Sequence, residues 1–559
     1  MRLALGQFNP TVGDLSGNVA KMKEMWARAV DSGAELVLFP ELSICGYPPE
    51  DLVYKRHFVE DNRTAVEELA AACPAQTVVA GFVEFDGNGA FNTAAVLQEG
   101  RIVHTYHKCA LPNYSVFDEQ RYFKPGTRPL VITSGGLNIA LTICFDIWNT
   151  RWLQDSLTNV GQIHLVLNLS ASPFHMGKID RREEVISACA RTFNSAVAYC
   201  NLVGGQDELV FDGRSILANS AGDIVAKARA FEEDLLIADI EAADSGVTVT
   251  TLSPPPAQPQ GALEEVYQAL VLGTRDYTRK NGFEKVLLGM SGGIDSALTA
   301  AIAVDALGSG NVRGVTMPSK FNSPETIADA KRVADNLGIE MLTIEIEPIL
   351  SRFDQSLGAD ARWDDRGVAY ENLQARIRGM ILMSLSNQIG ELVLTTGNKS
   401  EVSVGYSTLY GDTAGGFAVI KDVPKTMVYQ LAELVNERAG KEIIPEAVIT
   451  RAPSAELRAG QKDSDSLPDY EVLDRIVTGY VEEDKSAREL AESGLPAETV
   501  ERVIWMIDRN EYKRRQSPPG VRITPKAFGK DRRLPITNRY RTTVRSRRKD
   551  RTAGGEGQT

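Results

Sequence analysis

Residues 251–262 read TLSPPPAQPQGA, a stretch that no packed element accommodates. Proline fixes φ and removes a backbone donor, so four prolines and a glycine here rule out both a helix and a central strand. The stretch reads as a linker over 249–262. It divides the chain into residues 1–248 and 263–545, with a basic, glycine-rich tail at 546–559. At 559 residues the chain is too long for one core; length alone suggests about three or four domains, and large α/β modules reduce that to two.

The two modules differ in chemistry. All six cysteines (45, 73, 109, 144, 189, 200) and all five histidines (57, 104, 107, 164, 175) lie in the first 200 residues. Chemistry beyond the linker therefore rests on carboxylates, lysines, hydroxyls, metal ions and backbone amides. No CxxC pair occurs, which argues against a zinc site or a disulfide framework but leaves room for a reactive thiol. A net charge of −13 argues against nucleic acid as a partner. No apolar run reaches the roughly 18 residues a membrane helix needs. The N-terminal MRLALGQFNP lacks the layout of a signal peptide, and the chain reads as cytoplasmic.

Before the linker, strand-like runs dominate: RLALGQF, AELVLF, TVVAGFV, NTAAVL, NIALTIC and HLVLNLS. Helical stretches such as NVAKMKEMWARAVDSG fall between some of them, with apolar positions recurring at three and four. That pattern predicts an α/β sandwich with helices covering packed sheets. After the linker, strand and helix alternate regularly, from EKVLLGM and SALTAAIAVDALG to ELVLTTG. This predicts a doubly wound parallel sheet, whose ligands bind beyond the carboxyl ends of the strands.

GMSGGIDSA, at 289–297, occupies one such strand-to-helix junction. Its serines and glycines bring backbone N–H groups to the start of a helix, where the dipole favours an anion. The Gly-Lys-Ser/Thr ending of a triphosphate-gripping P-loop is missing. Asp295 would repel a bare phosphate and makes sense when Mg²⁺ bridges it to the anion. Such a loop suits cleavage of ATP between its α- and β-phosphates.

SGGIDS resembles the signature of the N-type ATP pyrophosphatases, whose sheet is of the adenine nucleotide alpha hydrolase kind. YENLQARIRGM (370–380), LVLTTGNKSEVSVGYSTLYGD (392–412), KDVPKTMVYQLA (421–432), RAPSAELR (451–458) and NEYKRRQSPPG (510–520) together resemble the NAD synthetases. The resemblance implies ATP contacts at Gly289, Met290, Ser291, Gly292, Gly293, Ile294, Asp295, Ser296, Thr396, Lys425 and Ser454. It implies contacts to nicotinic acid adenine dinucleotide (deamido-NAD) at Asn372, Glu401 and Lys513, with Mg²⁺ held by Asp295 and Glu401. The ammonia-using synthetases carry a lysine and an aspartate at positions that here are Thr408 and Gly416, and a histidine where this chain has Tyr512. Those roles are not carried over.

Amidation needs nitrogen, and the first module offers a source. VLFPELSICGYPPEDL ends a strand near Glu41, HTYHKCALPNYSVFDEQRYF puts Lys108 at the end of another, and IALTICFDIW puts Cys144 at the end of a third. Singly these read as a helix cap, a surface charge and a packed thiol. Together they resemble the Glu-Lys-Cys triad of the nitrilase and amidase superfamily. NLSASPFHMGKIDRRE and NLVGGQDELVFDG resemble the glutaminase domains fused to NAD synthetases. The resemblance implies glutamine contacts at Tyr114, Ser172 and Lys178, and leaves His107 structural. Phe145 departs from it, standing where relatives often have an acidic residue. The expected reaction takes deamido-NAD, ATP and glutamine to NAD⁺, AMP, pyrophosphate and glutamate, with ammonia passing between the sites. The same resemblance implies a homo-oligomer, often an octamer.

Overall fold

Alternation of side chains across a strand sorts the first module into layers. The computed structural model describes residues 1–544, apart from 149, 158–159, 244–245, 256–257, 260, 359–362 and 364–366. One mixed sheet of seven strands runs in the order Gly246–Thr251, Asp234–Ala243, Arg2–Gln7, Leu36–Leu38, Thr77–Phe85, Ala90–Gln98, Arg101–His107. A second, of six, runs Ile224–Lys227, Ile216–Ala218, Ala196–Asn201, Leu165–Ser170, Leu137–Ile143, Leu130–Ser134. Leu3, Leu5, Leu36 and Leu38 face Ile139, Leu141, Leu165 and Leu167 in the core between them. The alternate residues Ala4, Val37 and Phe39 point outward under helices Leu15–Asp31 and Arg56–Ala72. Helices Thr150–Leu157 and Lys178–Phe193 cover the other sheet, giving four layers with helices outside.

The second module carries a five-stranded, wholly parallel sheet: Glu340–Thr343, Val312–Thr316, Val286–Gly289, Leu392–Thr395, Phe417–Ala418. Numbered along the chain this is 3-2-1-4-5, so the winding reverses between Val286–Gly289 and Leu392–Thr395. A crevice opens at such a reversal, at the carboxyl ends of both strands. Helices Ala262–Lys280, Ile294–Leu307 and Lys425–Ala439 pack on one face, and Glu347–Leu357 and Val368–Ile389 on the other. A helical cap, Tyr470–Val477 with Ala487–Glu492 and Ala497–Arg509, closes beside it.

Two boundaries differ from the sequence expectation. Strand Gly246–Thr251 stays paired with its neighbour to its last residue, Thr251 opposite Ala238, so residues 249–251 belong to the sheet and not to the linker. Alternating Val and Thr at 247–251 carry the pairing past the point where composition changes. Helix Ala262–Lys280 begins one residue before 263. The last residue of the second module, 545, and the tail at 546–559 lie outside the described residues.

The halves also share a core. Hairpin Val203–Gln206/Leu209–Asp212 leaves both sheets and lies against helix Ala262–Lys280. Phe174, Val203, Val210 and Phe231 pack in one cluster with Val266, Leu270 and Leu288. The approach is close: a Cβ on Gly273 would meet the methyls of Val521 at 2.8 Å and Val210 at 3.1 Å. Lys280 Nζ donates to Asn9 Oδ1, Pro10 O and Gly205 O, each at 2.8 Å.

Candidate active sites

The ends of three strands build the first site. Lys108 follows Arg101–His107, Cys144 follows Leu137–Ile143, and Glu41 lies just beyond Leu36–Leu38. All three side chains are buried. Lys108 Nζ donates to Glu41 Oε1 at 2.6 Å and to Glu119 Oε1 at 2.8 Å. Asn92 Nδ2 also donates to Glu41 Oε1, at 2.7 Å, and the Ala171 amide donates to Glu41 Oε2 at 2.8 Å. With both oxygens held, the Glu41 carboxylate has one orientation.

Cys144 sits at φ +42°, in the left-handed region that non-glycine residues avoid. Asp146, two residues on, holds this turn. Its Oδ2 accepts from the Ile143 amide and the Tyr106 hydroxyl, both at 2.8 Å. Its Oδ1 accepts from the amides of Ala110 at 2.8 Å and Cys109 at 3.2 Å. One buried carboxylate thus ties the turn of Cys144 to the segment after Lys108. Burial first, and then the charge of Glu41, pushes the Cys144 thiol up to about 12, against the pull of the Lys108 ammonium. At that value the resting thiol keeps its proton, and a thiol so placed needs a base before it can act as a nucleophile.

Aromatic rings line the mouth. Tyr114, 49% exposed, packs 5.7 Å from Phe145, which lies 6.2 Å from Trp148. Lys178 Nζ sits 4.6 Å from the Trp148 ring centre. Burial lowers the Lys178 ammonium to about 8, with Arg182 adding to the effect. Tyr114 packs 5.5 Å from Phe117 as well, so the rings of Tyr114, Phe117, Phe145 and Trp148 form one aromatic patch with Lys178 at its edge. Ser172 is buried, its Oγ 3.4 Å from Arg182 Nη2. Arg182 in turn grips Asp212 with two bonds of 2.9 and 3.0 Å. His107 turns away, bonded to Glu84 at 2.8 Å and stacked on Phe91, as a structural residue.

The second site is a cleft of about 700 Å³ at the winding reversal. Gly289, Met290, Ser291, Asp295 and Ser296 line it from the phosphate-loop side. Gly292 has φ +83°, and a Cβ there would fall 2.1 Å from Thr326 O, so only glycine fits. Gly293 caps helix Ile294–Leu307 without a side chain, which leaves first-turn amides for an anion. Ile294 is buried in the core rather than turned to the cleft.

Asp295 accepts from Asn398 Nδ2 at 2.9 Å and pairs closely with Lys425, whose Nζ lies 3.7 Å from Glu401. Lys425 is 2% exposed and stands behind Asp295, not on the cleft wall. Burial raises the Glu401 carboxyl, and the Asp295 charge raises it further. Among the described residues no cluster of three or more His, Cys, Asp or Glu side chains forms a protein-only metal cage.

Thr396, Asn372, Glu401 and Lys513 all line the cleft. Asn372 lies within helix Val368–Ile389 and accepts from Thr408 Oγ1 at 2.7 Å. Lys513 Nζ donates to Gly405 O and Ser407 O, both at 2.7 Å. Ser454 departs from expectation. It is exposed, is not among the lining residues, and its hydroxyl donates to Gln461 O at 2.6 Å within its own loop.

Sequence reasoning missed Glu119, Asp146, Arg182, Asn398 and Arg451. Glu119 and Asp146 stand inside the stretches that carry Lys108 and Cys144, and Asn398 three residues before Glu401. Arg451 Nη1 donates to Gly292 O at 3.3 Å and pairs closely with Asp329, bracing the phosphate loop.

The carbon-nitrogen hydrolase family model matches residues 2–248, and the NAD synthase model matches 266–517. A glutamine-dependent NAD(+) synthetase of Thermotoga maritima is 46% identical over 97% of this chain and 99% of its own. One of Acinetobacter baylyi is 44% identical with the same coverage. Among solved structures, a glutamine-dependent NAD(+) synthetase of Acinetobacter baumannii in complex with ADP is 42% identical, with a TM-score of 0.77 over 96% of this chain and 98% of its own. One from Cytophaga hutchinsonii, at 21% identity and a TM-score of 0.82 with the same coverage, matches in fold.

Proposed function

The chain belongs to the glutamine-dependent NAD(+) synthetases, which amidate deamido-NAD to NAD⁺ with ATP and glutamine, and from that premise we propose how its own residues divide the work. Residues up to Thr251 form the glutaminase module and those from Ala262 the synthetase module. Glu41 takes the Cys144 proton as Sγ attacks the glutamine carboxamide. Lys108 stabilises the developing oxyanion, and the proton passes to the leaving nitrogen. A thioester remains, and Glu41 then activates water to hydrolyse it. Tyr114, Ser172 and Lys178 hold the rest of glutamine. The observation that carries this reading is Lys108 Nζ fixed on Glu41 beside a buried Cys144 in a strained turn.

In the cleft, the amides after Gly293 and the Ser291 and Ser296 hydroxyls receive ATP phosphates, with Thr396 at the neighbouring strand end. Asn372 and Lys513 orient deamido-NAD so that its pyridine carboxylate meets the α-phosphate. Asp295 and Glu401 offer hard oxygen donors that fit Mg²⁺ when phosphate oxygens complete the set, and Mg²⁺ bound there would offset phosphate charge. Lys425 holds Asp295 in place. Ammonia attacks the adenylated carboxylate and AMP leaves. The fusion of the two modules in one chain favours passage of ammonia inside the protein, and a small cavity lined by Val116, Glu208, Lys421, Arg522 and Asp531 among others lies between the halves.

Helix Val368–Ile389 leaves Val368, Met380, Met383 and Ile389 exposed beside the cleft, which supports pairing with a second copy and a homo-oligomer, on the family pattern an octamer. No described helix is long and apolar enough to cross a membrane, and a cytoplasmic enzyme suits that composition. Replacing Cys144 with Ala should abolish glutamine-driven NAD⁺ formation, by about 10³-fold or more, and leave ammonia-driven synthesis within about twofold. Assays of AMP, pyrophosphate and NAD⁺ with each nitrogen source decide it. Equal loss of both activities in a folded variant would refute the division of labour.

A further inference from the structure

Hydrolysis of a carboxamide to a carboxylate and neutral ammonia releases one proton. The amide and water become RCOO⁻, NH₃ and H⁺: the C–N bond breaks as the C–S bond of the thioester forms, and that C–S bond breaks as the C–O bond forms. If the proton travels with ammonia, it makes ammonium, which has no lone pair for the second site. The proton therefore needs its own way out. This argument rests on the reading of Cys144 as nucleophile and of ammonia as moving unprotonated.

The structure contains a hydrogen-bonded line leading away from Cys144. Glu41 Oε1, Lys108 Nζ and Glu119 Oε1 stand in series at 2.6 and 2.8 Å. Glu119 is 3% exposed; its Oε1 also accepts from Tyr47 OH at 3.0 Å, and its Oε2 has no partner among the described residues. Glu119 and Tyr47 form part of the wall of an open groove of about 350 Å³ between the two modules, with room for several waters. The rim cations are matched by carboxylates: Lys530 with Glu50 at 2.5 Å, Arg533 with Asp118 at 2.7 Å, Arg121 with Asp51 at 3.2 Å and Arg515 with Glu511 at 2.8 Å. Matched in this way, the rim is suited to water rather than to a charged ligand.

We propose that Glu119 and this groove are the proton exit of the first site, separate from the path of ammonia. Lys108 hands a proton to Glu119 Oε1 as it takes one from Glu41 Oε1, and Glu119 releases it at the groove wall, its buried Oε2 being reached only as a groove water moves in. No bond to substrate is made, so Glu119 and Tyr47 are positioning residues. Burial raises the Glu119 carboxyl, and the Glu41 charge adds to that, while Lys108 and the Tyr47 hydroxyl lower it. Proton uptake at neutral pH followed by release is within reach of such a group.

The test uses Tyr47→Phe and Arg533→Trp in the full chain, with acid-quenched mass measurement of the Cys144 thioester and the ratio of NAD⁺ formed to glutamine consumed. Loss of the Tyr47 hydroxyl strengthens proton binding at Glu119. The acidic limb of thioester hydrolysis should then move up by about half a pH unit or more, and the thioester should accumulate there. Arg533→Trp, at the groove rim, should lower the transfer ratio and be rescued by a small diffusible base such as formate, with ammonia-driven synthesis unchanged. A thioester that forms while the limb, ratio and formate response all stay at wild-type values overturns the exit. Absence of any Cys144 adduct, in wild type and variants alike, refutes the nucleophile reading and removes the proposal with it.

Discussion

Lys178 has a half-buried ammonium on the Trp148 ring, and burial places its titration at about 8. In the proposed role as a glutamine contact, Lys178 is charged below that pH and can pair with the glutamine α-carboxylate, and above it that pairing is lost. The KM for glutamine should rise as pH passes through about 8, with kcat less affected, while the KM for ammonia shows no such rise. Lys178→Met should raise the glutamine KM by about tenfold and remove that rise, as a uniform-binding contact would. A KM for glutamine flat across this range would contradict the role. Glu41, Lys108 and Cys144 were legible through their joint resemblance to the nitrilase and amidase superfamily, since each alone at a strand end has a duller reading. Glu119, Asp146 and Arg182 were not. A carboxylate or guanidinium in sequence reads as surface, and only tertiary packing decides that these three are buried and paired. Ser454 shows the opposite case: the resemblance implies an ATP contact there, while its hydroxyl bonds Gln461 O within its own loop and its neighbour Ala455 lines the cleft.

Both clusters of candidate residues lie at strand ends, where the family resemblance, and not the period-two runs by themselves, pointed. The phosphate loop shows how far one element's backbone is fixed. Gly292 combines φ +83° with a wall, Thr326 O, 2.1 Å from where a Cβ would be. Gly292→Ala should cost about 1–3 kcal/mol of stability and weaken ATP binding by at least tenfold, because the loop must move off the Thr326 carbonyl. Calorimetric titration with Mg·ATP measures this, and wild-type affinity would show that the loop yields freely. At the seam, Gly273 faces Val210 and Val521, both buried and stiff at χ1. Gly273→Leu gains about 1 kcal/mol in helix propensity but overpacks the contact by more, so the melting temperature should fall. The hairpin that Gly273 meets was hidden in the sequence. NLVGGQDELVFDG reads as an ordinary strand and turn, and nothing in its period says that it leaves the sheet to meet a helix beyond the linker.

A proline-rich linker divides the sequence into two modules. Chain composition reports where backbone cannot form regular structure, but it says nothing of what packs across the gap. Here Phe174, Val203, Val210 and Phe231 of the first module share one buried cluster with Val266, Leu270 and Leu288 of the second. Residues 519–533 add to the seam: Ile523 O accepts from the Met176 amide at 2.9 Å, while the Ile523 and Thr524 amides donate to Asp422 at 2.9 and 2.8 Å. Neither half can bury its side of that cluster alone, so the chain should unfold in a single calorimetric transition rather than two. Residues 1–251 expressed alone should bind an apolar dye and melt well below the full chain. Lys280→Met tests the polar part of the same seam. It removes three hydrogen bonds to Asn9, Pro10 and Gly205, worth about 1 kcal/mol each, and leaves three oxygens short of a donor. The single transition should shift down by several degrees and stay single. Two resolved transitions in the wild-type chain would mean that the shared core does not couple the halves, and that the linker alone holds them together.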